Sequence, residues 1–258
     1  MIVLDKPAIN YLVEGEGETI VFIHGLSDNL NYWEVLANPL KNKYKILRFD
    51  LRGHGDSKLW GDEITVDSYT EDLNCLLDEL NIDNVNLVGL SLGGAIALNF
   101  AIKYSSKVSS LVMMSSFSYC SNHLENELNK FKRAISNSPE EFFDTILPFT
   151  LCPDVIKRHE HNLGLLRNNV RVVLNVDAVK KAIDAILNFN VECMLDAIDI
   201  KTLILAGKYD DLSLLSEQTE LSSNIKNSDL IVFDNLKHNL LVGKDIGKIV
   251  DILIKFYS

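Results

Sequence analysis

Short, nearly continuous apolar runs alternate along the chain with longer stretches in which apolar residues recur every three or four positions. Eight runs read as strands: Met1–Lys6 and Ile9–Val13 around a turn at Pro7, then Thr19–Ile23, Tyr44–Phe49, Val85–Val88, Val108–Ser115, Thr202–Leu205 and Leu230–Phe233. Strands that are apolar throughout suit a parallel sheet buried on both faces. Between them, Val66, Tyr69, Leu73, Leu76, Leu77 and Leu80 share one helical face, and Ile246, Ile249, Val250, Leu253 and Phe256 share another. Ser91–Ala101, rich in Ala, Leu and Ile, is a helix that follows a strand directly. This alternation predicts an α/β fold: a mostly parallel, eight-stranded, doubly wound sheet with right-handed crossovers.

The pattern breaks between about Phe117 and Ala197. Strand alternation stops there, and helical faces replace it: Leu124, Leu128 and Phe131 on one, Ala178, Ala182, Ile183, Ala185 and Ile186 on another. Insertions in such sheets emerge at the carboxyl ends of the strands, where ligands bind. Residues 117–197 are therefore expected to form a helical cap over a core made of 1–116 and 198–258. Phe142, Phe143 and Leu147 make the cap apolar and are candidates to line a substrate pocket, as is Trp33, for which a packing role is an equal alternative.

Composition narrows the function classes. The net charge of −11 argues against nucleic acid as a partner, because an acidic surface repels phosphate backbones. Cys75, Cys120, Cys152 and Cys193 are widely spaced without a C-x-x-C pair, which fits neither a zinc site nor a disulfide framework and suits a reducing cytoplasm. The N-terminus has no signal-peptide pattern, and no apolar run is long enough to span a bilayer. Nucleotide-binding glycine signatures are missing. His159-Glu160-His161 lacks a further ligand set, so no metal is expected, and no cofactor.

The chemistry concentrates at strand ends. Gly89-Leu90-Ser91-Leu92-Gly93 matches G-x-S-x-G between a predicted strand and a predicted helix, the context of a nucleophile elbow. Such a turn lifts the Ser91 hydroxyl above the sheet, beside the orphan N–H groups of a helix start. A serine needs a base, and His238 follows the last predicted strand; the base needs an orienting acid, and Asp210 follows the strand Thr202–Leu205. Asp211 remains a rival acid. His24-Gly25-Leu26 ends another strand, so the backbone N–H groups of Leu26 and Leu92 are the expected oxyanion hole, and the His24 ring is expected to hold the loop through backbone hydrogen bonds.

With His24-Gly25, then Asp50-Leu51-Arg52-Gly53-His54-Gly55-Asp56-Ser57, then Gly89-Leu90-Ser91-Leu92-Gly93-Gly94, and with the order Ser, Asp, His, the chain resembles the α/β-hydrolase superfamily over nearly its whole length, and within it the small carboxylesterases and enol-lactone hydrolases. The resemblance implies a loop-fixing role for Arg52 and His54, and an acid three residues after Gly207, which selects Asp210. Two positions depart from the family pattern: Lys201 stands where proline commonly precedes the acid's strand, and Leu212-Ser213-Leu214 follows the acid without proline. Ser91 in place of an elbow aspartate sets the chain apart from epoxide hydrolases and haloalkane dehalogenases. The expected activity is cleavage of small-molecule esters or lactones with an apolar part, by a cytoplasmic monomer or homodimer. Carbon–carbon bond hydrolysis, thioesterase or acyltransferase chemistry use the same triad, and a small-molecule receptor is the non-enzymatic alternative.

Overall fold

Within each strand, alternate side chains enter opposite layers. In the computed structural model, which describes residues 9–257, Ile20 and Phe22 of β2 join one core while Val21 and Ile23 join the other. The strands are β1 (Tyr11–Glu14), β2 (Thr19–Ile23), β3 (Lys45–Phe49), β4 (Val85–Leu90), β5 (Val108–Met114), β6 (Lys201–Gly207) and β7 (Ser228–Phe233). They form one sheet of order β1-β3-β2-β4-β5-β6-β7, parallel except for β1, which runs antiparallel to β3. This is the doubly wound α/β sheet the apolar runs predict, with seven strands among the described residues. The strand expected at Met1–Lys6 lies outside them. β1 starts two residues later than expected because Asn10 is drawn into the loop after β3: its N–H donates to Ser57 Oγ (2.9 Å) and its amide to Asp50 Oδ2 (2.7 Å).

The helices are α1 (Glu34–Leu40), α2 (Val66–Glu79), α3 (Leu92–Lys103), α4 (Asn122–Asn137), α5 (Pro139–Thr150), α6 (Pro153–Arg158), α7 (Glu160–Val173), α8 (Val176–Leu187), α9 (Leu215–Asn224) and α10 (Asp245–Tyr257). α1 and α10 cover one face of the sheet, and α2 and α3 cover the other. α2 starts at a reciprocal cap: Ser68 N–H donates to Thr65 Oγ1 (3.0 Å) and Thr65 N–H to Ser68 Oγ (2.9 Å).

Helices α4–α8 occupy the stretch between β5 and β6. Ser121, Ser138 and Asn175 cap α4, α5 and α8, and Pro139 opens α5. The apolar faces of α4, α5 and α8 are continuous with the α2–α3 side of the core through Leu124, Phe131, Phe142 and Ile186. The C-terminal end of α5 is fastened to the loop after β7, where Lys237 Nζ donates to Pro148 O (2.8 Å) and Asn239 N–H to Thr150 O (3.0 Å). Among the described residues no helix is long and apolar enough to cross a membrane.

Candidate active site

Ser91 follows β4 directly and precedes the first residue of α3, with φ 52° and ψ −117°, a conformation that costs of order 1–3 kcal/mol for a residue with a Cβ. Its surroundings hold it there. Ser91 N–H donates to Met114 O (2.9 Å), and Ser116 Oγ donates to Ser91 O (2.8 Å). The sharp turn requires bare backbone at two positions: a Cβ on Gly89 would overlap the Gly93 carbonyl, and a Cβ on Gly93 would overlap the carbonyl oxygens of Ile23 and His24. That second contact seats the start of α3 against the end of β2. It brings the loop after His24 alongside the elbow, and a Cβ on Gly25 would stand 3.6 Å from Ser91 Cβ.

His238 and Asp210 meet. His238 Nδ1 lies 3.0 Å from Asp210 Oδ1 and 2.9 Å from Oδ2, with both residues buried. Nδ1–H donates to the carboxylate, leaving Nε2 as the free ring nitrogen. Asp210 is itself fixed, because Oδ1 accepts from the N–H groups of Leu212 (2.9 Å) and Ser213 (3.0 Å). Asp211 points elsewhere: it is exposed and paired with Lys237 Nζ at 2.6 Å, while its carbonyl oxygen lies 2.7 Å from His123 Nε2. The His123 ring thus ties α4 to the Asp210 loop.

Ser91 and His238 line one narrow cavity of about 80 Å³, together with Gly25 and Leu26. They share no hydrogen bond in this conformation, and the bond between a nucleophile and its base tightens as substrate binds. Leu26 N–H has no acceptor among the described residues, and Leu92, as the first residue of α3, has no carbonyl one turn back to bond. Ser27, next to Leu26, has φ 62°, so the loop carrying this donor is strained like the elbow.

His24 holds that loop from beneath, completely buried. Nδ1–H donates to Gly25 O (2.8 Å), and Nε2 accepts from Leu51 N–H (2.9 Å), which fixes the neutral tautomer and excludes a second base. Burial, helped by the neighbouring His54, pulls His24 from 6.5 down to about 3. The neutral ring is therefore the folded form. Above about pH 6.5 its contribution is complete, and as pH falls toward 3 the unfolded chain takes up a proton that the folded chain refuses. At ~1.4 kcal/mol per unit, His24 alone is expected to remove roughly 3 kcal/mol of stability between pH 7.5 and 4.5. Urea midpoints at the two pH values test this, and a His24→Asn protein should show a shallower pH slope.

The loop after β3 is structural, in keeping with the roles expected for Arg52 and His54. Arg52 Nε donates to Asp72 Oδ2 at 2.8 Å, its guanidinium lies 4.4 Å from the centre of the Trp60 ring, and His54 Nδ1 donates to Arg52 O at 3.2 Å.

Three candidate pocket residues are corrected: Phe142, Phe143 and Leu147 do not line the cavity, and Trp33 takes its packing alternative. Trp33 is buried on the α1 side of the sheet against Phe22, their ring centres 4.9 Å apart, and Phe142 packs edge-on to Phe131 beneath the site. The wall of α5 is formed instead by Ile146 and Thr150, one turn apart, so Phe143 and Leu147 fall one position round the helix. Phe117, Leu124, Leu128, Phe131 and Ile186, with Leu90 and Leu212, complete the apolar wall. Besides Thr150, three polar liners were not expected: Asp28, Tyr32 and Asn239, with Tyr32 Oη donating to Asn239 Oδ1 at 2.9 Å. Asp28 and Asn239 each lie within two residues of an expected site residue, Leu26 and His238, and this proximity was the one signal available.

The profile of the alpha/beta hydrolase fold family matches residues 18–151. An uncharacterised Mycobacterium tuberculosis protein is 33% identical over 105 residues, which are 41% of this chain and 31% of that relative, so the match spans under a third of its length. Among solved structures, MGS-M2, an alpha/beta hydrolase enzyme from a deep-sea metagenome, superposes with a TM-score of 0.93 at 22% identity, covering 99% of this chain and 96% of its own. The enol-lactonase of Burkholderia xenovorans LB400 superposes with a TM-score of 0.88 at 20% identity, covering 98% and 97%. At these identities the likeness is one of fold.

Proposed function

The chain belongs to the alpha/beta hydrolase family, and from that premise we propose that it is a cofactor-free serine hydrolase cleaving carboxylic esters or lactones of small molecules. The observation that carries this reading is the buried Asp210–His238 pair, whose ring shares a cavity with the strained Ser91. The fold likeness to an enol-lactonase supports it.

In the proposed reaction Ser91 Oγ adds to the substrate carbonyl carbon while His238 Nε2 accepts the hydroxyl proton. The carbonyl oxygen, now an oxyanion, takes hydrogen bonds from Leu26 and Leu92 N–H, donors each worth a factor of about 10²–10³ in rate. The C–O bond breaks, and His238 returns its proton to the leaving alkoxide. Water then adds to the acyl-enzyme, giving a proton to His238, and the ester to Ser91 breaks as that proton returns to Oγ. Asp210 stays ionised throughout and steadies the imidazolium. Residues 117–197 act as the cap, and the core of 1–116 and 198–258 carries the triad.

A series of p-nitrophenyl esters from acetyl to long acyl chains tests the reading. The small cavity of about 80 Å³, lined by Leu124, Phe131 and Ile146, predicts sustained turnover that is fastest for the shortest acyl groups and falls by about tenfold or more for long ones, each surplus methylene demanding repacking of the wall. Absence of turnover across the series, and on small lactones, would overturn ester and lactone hydrolysis and favour carbon–carbon cleavage or ligand sensing.

A further inference from the structure

We infer that Asp28 is the specificity-determining residue of the cavity, binding a protonated amine on the substrate; this rests on the hydrolase reading for its location, and not for its test. The carboxylates around the site differ sharply in how they are satisfied. Asp50 accepts from Leu30 N–H (2.7 Å), Asn10 Nδ2 (2.7 Å) and Asp56 N–H (2.8 Å). Asp72 is held by Arg52 through both oxygens, and Asp210 by His238 and two backbone N–H groups. The Asp28 carboxylate has a single hydrogen bond, from Asn29 N–H to Oδ1 at 3.2 Å, and its Oδ2 has no partner among the described residues.

That under-bonded carboxylate lines the cavity that Ser91 and His238 share. Asp28 is half-buried, its carboxylate opening on the cavity instead of pairing within the protein as Asp50 does, so a ligand that fills the cavity takes that carboxylate out of water and has to supply its partner. Burial raises Asp28 from 3.8 to about 7, with the Asn29 N–H pulling the other way. The Tyr32 hydroxyl, which also lines the cavity, donates to Asn239 Oδ1 (2.9 Å) and not to Asp28, and burial followed by the Asp28 charge pushes this phenol well above 10. An ammonium supplies both the missing donors and the missing charge, in a site where screening by water is reduced. It would also cancel a negative charge two residues from Leu26 N–H, where the oxyanion is proposed to form. The overall charge of −11 draws cations toward the protein.

The test is binding to the Ser91→Ala protein, so that it stands whether or not esters are turned over. Propyl- and butylammonium are titrated against the alkanols of equal length, followed by chemical-shift changes, in Ser91→Ala, Ser91→Ala/Asp28→Asn and Ser91→Ala/Asp28→Ser proteins whose melting curves confirm folding. Ammonium binding at least tenfold tighter than alkanol, falling to parity in either Asp28 variant, is expected. Equal binding of ammonium and alkanol, binding of neither, or a preference that survives both substitutions would overturn the inference. Ester turnover by wild type alongside parity here would sink the amine site and leave the serine-hydrolase reading standing.

Discussion

Replacing Ser91 with alanine is expected to lower kcat for p-nitrophenyl acetate by about 10⁴-fold or more while the protein stays folded. The size of the loss follows from the nature of the step. Without Oγ no acyl-enzyme forms, and only the oxyanion donors and substrate binding remain to help water attack directly. Persistence of the fold follows from the backbone. Both hydrogen bonds that fix the elbow, Ser91 N–H to Met114 O and Ser116 Oγ to Ser91 O, use main-chain atoms of residue 91. Alanine keeps the Cβ and therefore the same strain at φ 52°, so the melting temperature should move by only a few degrees. Turnover measured alongside thermal melting separates the two effects. Activity within tenfold of wild type in a folded Ser91→Ala protein would remove Ser91 from the mechanism and return the cavity to a binding role.

What the sequence made legible was whatever is local. The runs Thr19–Ile23 and Val85–Val88 declare themselves as strands because buried parallel strands are apolar at every position, and they fall inside β2 and β4. Ser91, Asp210 and His238 could be picked out as candidates because each stands just past a strand, and a parallel sheet gathers such positions on one edge. The choice between Asp210 and Asp211 needed more, since neighbouring residues in a turn point in different directions and the direction is set by Lys237 and by the N–H groups of Leu212 and Ser213. The cavity wall was harder still. Which stripe of α5 meets the site depends on how α5 docks on α4 and on the loop after β7, so Ile146 and Thr150 face the cavity although Phe143 and Leu147 are as apolar or more so than Thr150. Asp28 was invisible for a related reason. A loop aspartate reads as solvated until the path of the loop turns it inward.

The acid offers the second large effect, and one that separates two adjacent residues. Asp210→Asn is expected to lower kcat by about 10⁴-fold with little change in stability at neutral pH, whereas Asp211→Asn should stay within a few-fold of wild type. The asymmetry lies in the hydrogen bonds. Oδ1 of residue 210 faces two backbone donors, Leu212 N–H and Ser213 N–H, so an asparagine must keep its oxygen there. Its amide nitrogen then faces His238 Nδ1, and because that nitrogen donates, Nδ1 has to accept. The imidazole is driven into the tautomer that carries its proton on Nε2, the atom that must take the proton from Ser91. The ring stays in place and KM should change little, but the base is occupied. Asp211 meets Lys237 at the surface, and losing an exposed ion pair costs ~0–1 kcal/mol. Steady-state kinetics on the two variants decides the matter. A collapse in Asp211→Asn with Asp210→Asn spared would transfer the acid to Asp211 and require the loop after β6 to rearrange when substrate binds, whereas equal, mild losses would mean that His238 works without a carboxylate and that the buried pair serves the fold.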